Sequence, residues 1–392
     1  MYLNRTAVVE IATVARRRPG ARRALIWLGY AIGVLLVRGF LIVTRWIDDR
    51  VWPEIAAQDI EPPIFIFGNA RSGTTLLHRL LSLDEDHFTT MKLYQSVFPR
   101  VCVIRTIGWM DRFDARIPGR PLRAFVDWIN RKVFHTWEGI HDIGLDLPEE
   151  DEAIWTLSLT TPAAVLMFPE LDALPASVRF DELPSEERRR FLDLYEDALR
   201  RFLFARGQGR RFLNKNVLFA RRIEAIAERF PEARFIHLVR HPFEAIPSFL
   251  DMFHVKWQTH SPEIETDSPE IRALSRLAID YYRCSVDASR KLAPARFMTI
   301  RYDELVADPK AAVSAIQRAL GIEPGTDFLR RLDAAIESHR EFTSGHSYSM
   351  AKFGLSEDAV YEELEDVFSE FGFAAPAAQG AGTRPLETAS RG

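Results

Sequence analysis

The sequence predicts an α/β protein, a three-layer parallel sheet flanked by helices, on three observations. Short apolar runs at 63–67, 234–239 and 296–301 alternate with longer helical stretches, the pattern of strand-helix units. The first run passes through a glycine-bounded loop straight into an amphipathic helix, and the second ends in an arginine before a proline-opened helix. At 392 residues, 47% hydrophobic and 27% charged, the chain is long enough for one large domain with appendages.

The N-terminal stretch differs from the rest of the chain. Arginines at 16–18, 22 and 23 precede an apolar run from Ala24 to Val37, which resumes after Arg38 as far as Thr44. An N-terminal hydrophobic helix is expected. Fourteen uninterrupted apolar residues fall short of the ~20 needed to span a bilayer, and in the longer stretch 24–44 Arg38 would have to snorkel. No small-x-small site succeeds the run, which argues against a cleaved secretory signal. Six arginines before the segment would orient the body of the chain across a membrane, yet that body carries no N-x-[ST] glycosylation acceptor, the only one being Asn4-Arg-Thr6 at the start. A helix on the cytoplasmic membrane face resolves the conflict, with packing on a partner subunit or on the protein itself as the alternatives. The boundaries read as 1–58 for this basic, hydrophobic segment, 59–373 for the main domain, and 374–392 for a loose Ala/Gly/Pro/Thr-rich tail.

Next comes Pro63-Ile-Phe-Ile-Phe-Gly68-Asn-Ala-Arg71-Ser72-Gly73-Thr74-Thr75, an apolar strand and a loop for holding phosphate. Gly68 and Gly73 let the backbone turn so that its N–H groups converge on an anion at a helix N-terminus. The spacing is that of a P-loop, so the sheet is expected to be of the P-loop type. Thr74, however, stands where a nucleotide-hydrolysing loop carries lysine. Arg71 inside the loop suits a phosphate-sulfate group better than a triphosphate with its magnesium.

Further along, Arg234-Phe-Ile-His-Leu-Val-Arg240 is a strand ending in a cation, and Ser248 lies eight residues later on a helix. A guanidinium fork and a hydroxyl together suit a second phosphate. With both segments in view, the chain resembles the PAPS-dependent sulfotransferases of the bacterial type, over about residues 61 to 350. The resemblance implies that Arg71, Ser72, Gly73, Thr74 and Thr75 hold the 5′-phosphosulfate of 3′-phosphoadenosine 5′-phosphosulfate. It also implies that Arg240 and Ser248 hold the 3′-phosphate; because the strand 234–239 ends in Arg240 and not in a magnesium-holding Asp, no metal is expected.

Sulfuryl transfer also needs a cation for the leaving oxygen and an acceptor for the attacking proton. Lys215, in Arg211-Phe-Leu-Asn-Lys215-Asn-Val, resembles the lysine many members place beside the sulfate. The cytosolic branch carries its basic histidine two residues later, but this chain has Val217. The resemblance to the bacterial branch points instead to His141 and to Pro148-Glu149-Glu150-Asp151-Glu152, with His141 and Glu150 as candidate bases. The acids also read as an ordinary helix N-terminus, within a helix expected over 149–160. Tyr94 and Gln95 occupy a second, weaker source, and His346 with the hydroxyls of 343–349 reads either as part of the site or as a polar turn.

Further helices are expected at 73–83, 185–206, 218–229, 242–253, 269–292, 309–320 and 356–371. Cys102 and Cys284 are too few for a disulfide framework and read as buried thiols. A net charge of −4 offers no footprint for nucleic acid. Forty-four arginines against seven lysines suggest a GC-rich, bacterial genome. The expected partners are a lipophilic or carbohydrate acceptor, a membrane surface and a second copy of the chain. Aromatic stretches at 109–113, 125–137 and 252–257 read either as cavity lining or as core. Two rival readings remain: a P-loop phosphotransferase, and a catalytically silent homologue acting as a membrane scaffold.

Overall fold

The computed structural model describes residues 2–17, 20–133, 144–340 and 349–376. Five strands, β1 (Ile64–Gly68), β2 (Phe88–Thr89), β3 (Arg211–Lys215), β4 (Arg234–Val239) and β5 (Phe297–Arg301), form one sheet in the order β2-β3-β1-β4-β5. Every pairing is parallel, with Ile66 opposite both Lys215 and Ile236, and Gly68 opposite Leu238. The three expected strands are therefore present, displaced by one residue at most. β2, only two residues long, carries no periodic signal for the sequence to display.

Both faces of the central strands are buried, which is why β1 is apolar throughout and β4 nearly so. On one face Phe65 stacks between Phe219 and Phe235, while Phe67 stacks on His237. On the other, Ile64 and Ile66 meet Leu77, Leu80 and Leu81 of the helix Thr74–Ser82. The helices Pro242–Trp257 and Pro269–Lys291 build a further core in which Phe253 and Trp257 are fully enclosed.

Several expectations need correction. No helix spans 149–160: Pro148 bridges Lys92 in antiparallel fashion, the helix starts only at Glu152 and ends at Thr156, and a 3-10 turn comes after it at 162–166. The stretch 356–371 is two helices, Glu357–Glu363 and Glu365–Phe371, broken at Leu364. Both cysteines are half-buried, not enclosed. The aromatics at 109–113 and 125–128 are neither cavity nor core. They sit exposed on two helices, Val101–Asp114 and Pro121–Val133. Phe134 and Trp137, the rest of the stretch 125–137, lie outside the described residues.

The N-terminal hydrophobic segment is one helix, Ala21–Val51, preceded by the helix Arg5–Arg17, whose Ala7 and Val14 are buried in the body. At ~1.5 Å per residue the longer helix runs about 46 Å. Several contacts tie it down: Trp27 Nε1 donates to the Met167 carbonyl at 2.9 Å, and Arg38 donates to the carbonyls of Tyr2 and Leu157 at 3.0 and 2.6 Å. Near its end Asp48 accepts from the N–H groups of Val101 and Cys102, both at 2.8 Å. Its opposite side presents Leu25, Leu28, Ile32, Leu35, Ile42 and Trp46 at helical spacing, all exposed.

Candidate functional site

A parallel sheet places all its strand C-termini on one edge, and the chain crosses from one side of β1 to the other between β3 and β4, where ligands bind in such sheets. Three of the predicted segments leave that edge side by side: the loop after β1, Lys215 at the end of β3, and Arg240 just beyond β4.

The loop is shaped by its glycines. A side chain at Gly68 would collide with the Leu238 carbonyl oxygen of β4, so glycine alone permits the strands to approach there. Gly73 has φ +86°, and a Cβ on it would also press on Leu305 and Tyr302 at 3.0 and 3.1 Å. Arg71 occupies the same left-handed region at φ +66°, an unusual and costly conformation for a non-glycine residue. The Ser72 N–H donates to the Asn69 carbonyl at 3.2 Å, closing the turn. The helix begins at Thr74, with Gly73 as its cap. Its first N–H groups face the loop's concavity, the arrangement that favours an anion.

Arg240 braces this loop. Its Nη1 donates to the Arg71 carbonyl at 2.8 Å, its Nε to Glu244 at 2.8 Å, and its guanidinium lies 4.2 Å from the centre of the Tyr302 ring. The Tyr282 hydroxyl in turn donates to the Arg240 carbonyl at 2.7 Å. Ser248, on the helix Pro242–Trp257, is buried and its Oγ has no partner; the Oγ of Ser72 is in the same state. Buried hydroxyls are nearly always satisfied, so two orphans at the two predicted anion positions suit a ligand that completes them. The chain's own groups therefore fit a nucleotide carrying both a 5′-phosphosulfate and a 3′-phosphate.

Lys215 places an ammonium beside the loop, which has Thr74 where a nucleotide-hydrolysing loop carries lysine. Its buried Nζ donates to Thr75 Oγ1 at 3.2 Å and pairs with Glu150 Oε1 at 2.9 Å. Beside it, burial holds the His78 imidazole far below its ordinary pKa, at about 3, with repulsion from Lys215 adding to the effect. His78 is therefore neutral.

The neighbouring acids serve the scaffold. Asp151 is fully buried and accepts from Tyr195 Oη at 2.6 Å, Asn216 Nδ2 at 2.8 Å and Trp155 Nε1 at 3.1 Å. Glu152 receives Arg222 in a fork of 2.8 and 3.2 Å. These bonds lock the segment 149–152 onto β3 and present Glu150 to Lys215. Glu149 is buried, its N–H bonded to the Met91 carbonyl at 2.9 Å. Gln95 Oε1 accepts from the Lys92 N–H at 2.8 Å and its amide donates to Tyr94 at 3.0 Å, so both side chains are engaged locally. His141 and residues 343–348, His346 among them, lie outside the described residues.

Asn214, Asn216, Tyr282 and Tyr302 were not anticipated. The first two carried a signal, because an asparagine on either side of a lysine in an apolar strand needs buried partners. The tyrosines carried none, since their partners are distant in sequence.

The family model of the sulfotransferases matches residues 62–327. Among curated proteins, the omega-hydroxy-beta-dihydromenaquinone-9 sulfotransferases Stf3 of Mycobacterium tuberculosis and Mycobacterium bovis are each 28% identical over 319 residues, covering 80% of this chain and 76% of theirs. Among solved structures, sulfotransferase STF1 of Mycobacterium tuberculosis superposes with a TM-score of 0.68 at 19% identity, covering 93% of this chain and 92% of that one. STF9 of Mycobacterium avium gives 0.65 at 20%, over 83% and 81%. Both share the fold. The phosphotransferase reading falls with the family match: over two thirds of its length, from the strand that opens the phosphate loop to the helix beyond β5, this chain belongs to the sulfotransferase family and is a sulfotransferase enzyme.

Proposed function

We propose that the enzyme moves the sulfuryl group of 3′-phosphoadenosine 5′-phosphosulfate to the hydroxyl of a lipophilic acceptor, with Lys215 and Glu150 at the reacting atoms. The observation that carries this is the ion pair of Lys215 with Glu150, set against Thr75 of the phosphate loop. The loop 71–75 holds the 5′-phosphosulfate, and Arg240 with Ser248 holds the 3′-phosphate. The acceptor oxygen attacks sulfur as the bond from sulfur to the bridging oxygen breaks. The electron pair stays on the departing 5′-phosphate, where the Lys215 ammonium meets the developing charge. Glu150, adjacent and paired with that ammonium, takes the acceptor proton; His141 is the competing base.

The relatives named for a hydroxylated dihydromenaquinone support an acceptor of that chemical kind, a hydroxyl on a long apolar molecule. A membrane location accords with it. Because Arg38 is bound to carbonyls of the folded body in mid-helix, Ala21–Val51 reads as lying along the cytoplasmic membrane face through residues 24–44, with its exposed apolar stripe towards lipid.

Incubating the enzyme with sulfur-35-labelled cosubstrate and a bacterial lipid extract tests the reading. Label is expected in the organic phase, in one polar lipid. Label transferred only to water-soluble acceptors would overturn the lipophilic assignment.

A further inference from the structure

We infer that the helical hairpin Val101–Val133 is a second membrane-docking element, one that seats the enzyme on an anionic bilayer. The inference rests on the reading of the acceptor as lipophilic and adds to it a docking surface.

The hairpin displays Trp109, Met110, Phe113, Leu122, Phe125 and Trp128 to solvent, with Trp109 and Phe125 more than half exposed at 59% and 58%. The rings pair on each helix: Trp109 on Phe113 at 5.6 Å between centroids, and Phe125 on Trp128 at 5.9 Å. Isolated exposed apolar side chains are ordinary, but four large rings on adjoining helices form a patch that signals a partner. Tryptophan in particular favours the depth where acyl chains meet headgroups.

Charge identifies that partner. The chain as a whole is acidic at −4, yet residues 100–133 hold eight basic residues against three acids, and residues 1–58 hold nine arginines against four acids. The remaining residues hold 34 basic against 48 acidic. Both elements with exposed apolar faces are therefore cationic on an otherwise anionic protein, the complement of an anionic lipid surface. Arg112, Arg116 and Arg131 are exposed on the hairpin itself.

The hairpin is also mechanically joined to both the N-terminal helix and the catalytic segment. Asp48 of the helix Ala21–Val51 caps the helix Val101–Asp114 through the N–H groups of Val101 and Cys102. Asp114, buried, caps the next helix through those of Leu122 and Arg123 at 2.9 and 3.0 Å. On that helix Asn130 accepts from the Leu145 N–H at 3.0 Å and donates to Asp146 at 3.2 Å, and Arg123 pairs with Asp146. Four residues beyond Asp146 lies Glu150, against Lys215. The hairpin is thus tied by hydrogen bonds to the segment that carries Glu150.

The test is co-sedimentation of the full chain with vesicles of phosphatidylcholine alone and with one third phosphatidylglycerol, comparing wild type with Trp109→Glu/Phe125→Glu. Both positions are exposed, and thermal shift with adenosine 3′,5′-bisphosphate verifies that the variant keeps its fold and its cosubstrate site. Wild type is expected to bind the anionic vesicles, and the variant to bind them on the order of tenfold or more less well. Equal binding of the two, or no binding by wild type, overturns the inference. So does light scattering that shows a wild-type dimer and a monomeric variant, since the face then belongs to a second copy. Sulfation of an acceptor dispersed in detergent separates this inference from the functional reading beneath it. The variant should retain that activity, and lipid transfer by wild type without vesicle binding would remove the docking while leaving the acceptor class intact.

Discussion

Lys215 Nζ stands 2.9 Å from Glu150 Oε1, so the group proposed to stabilise the leaving oxygen and the group proposed to take the proton are each other's partner before any ligand binds. The pair spans two segments far apart in sequence. The lysine is buried at the end of β3, whereas the glutamate sits at the end of an extended stretch pinned by Asp151. A buried lysine needs such a counter-charge, and an anionic cosubstrate at the loop competes for it.

The pair sets the first prediction. Glu150→Gln is expected to lower kcat by ~10²–10⁴ with little change in cosubstrate affinity, because a neutral isostere keeps the shape but cannot accept the proton. His141→Ala should leave kcat close to wild type. Steady-state kinetics on both decides, and the reverse pattern transfers the role to His141. Lys215→Met is expected to reduce kcat at least as strongly.

The cosubstrate cradle sets the second. Arg71→Ala and Arg240→Ala should each weaken binding of adenosine 3′,5′-bisphosphate by about 2–4 kcal/mol, the cost of leaving a dianion short of a charge-assisted partner. Arg240 also holds the Arg71 carbonyl, so its loss disturbs both anion positions. Calorimetric titration reads the change; unaltered affinity in the Arg240 variant would remove that segment from the site.

The orphan hydroxyls make a sharper test. Neither Ser72 nor Ser248 has a side-chain bond to lose, so Ser72→Ala and Ser248→Ala should leave the melting temperature of the free enzyme unchanged or slightly higher. Affinity for adenosine 3′,5′-bisphosphate should fall by about 10-fold or more, the worth of one hydrogen bond to a charged group. A drop in free-enzyme stability would mean the hydroxyls serve the fold.

Metal dependence is the fourth. Thr74 replaces the lysine of a nucleotide-hydrolysing loop, and among the described residues no three His, Cys, Asp or Glu side chains converge as a metal site would require. Activity is expected to persist in EDTA. Loss on chelation with recovery on adding magnesium would contradict this.

Acid stability provides the fifth. His237 is enclosed against Phe67 and Phe297, and burial holds its pKa at about 3 instead of 6.5. Below pH 6.5 the unfolded chain takes up a proton that the native imidazole refuses, so stability falls as pH drops from 6.5 towards 3. His237→Phe should flatten that limb by up to a few kcal/mol. Urea unfolding at about pH 4.5 and about pH 7.5 measures it; an unchanged difference between the two conditions would rule His237 out as the cause.

Much of this protein was legible in one dimension. Three of the five strands, the phosphate loop, the helix behind it and the segment carrying Arg240 and Ser248 come from local rules: strands are apolar runs, tight anion-binding turns need glycine, and helices announce their starts. The family resemblance rested on those same local segments. Where signals are short or long-range, sequence reading faltered. β2 is too brief to show a period, and Pro148 read as a helix start because nothing nearby in sequence reveals its bridge to Lys92.

The order of residues along the chain determined the glycine-bounded loop, the helix behind it and the segment of Arg240, because glycine turns and amphipathic periods act over a few residues. Tertiary structure alone decided which carboxylate meets Lys215, that Arg38 binds backbone carbonyls of the body and does not snorkel, and that the aromatics of 109–128 face outward. Each of these depends on contacts between residues scores of positions apart, and burial and charge pairing are properties of the folded surroundings, not of the residue that experiences them.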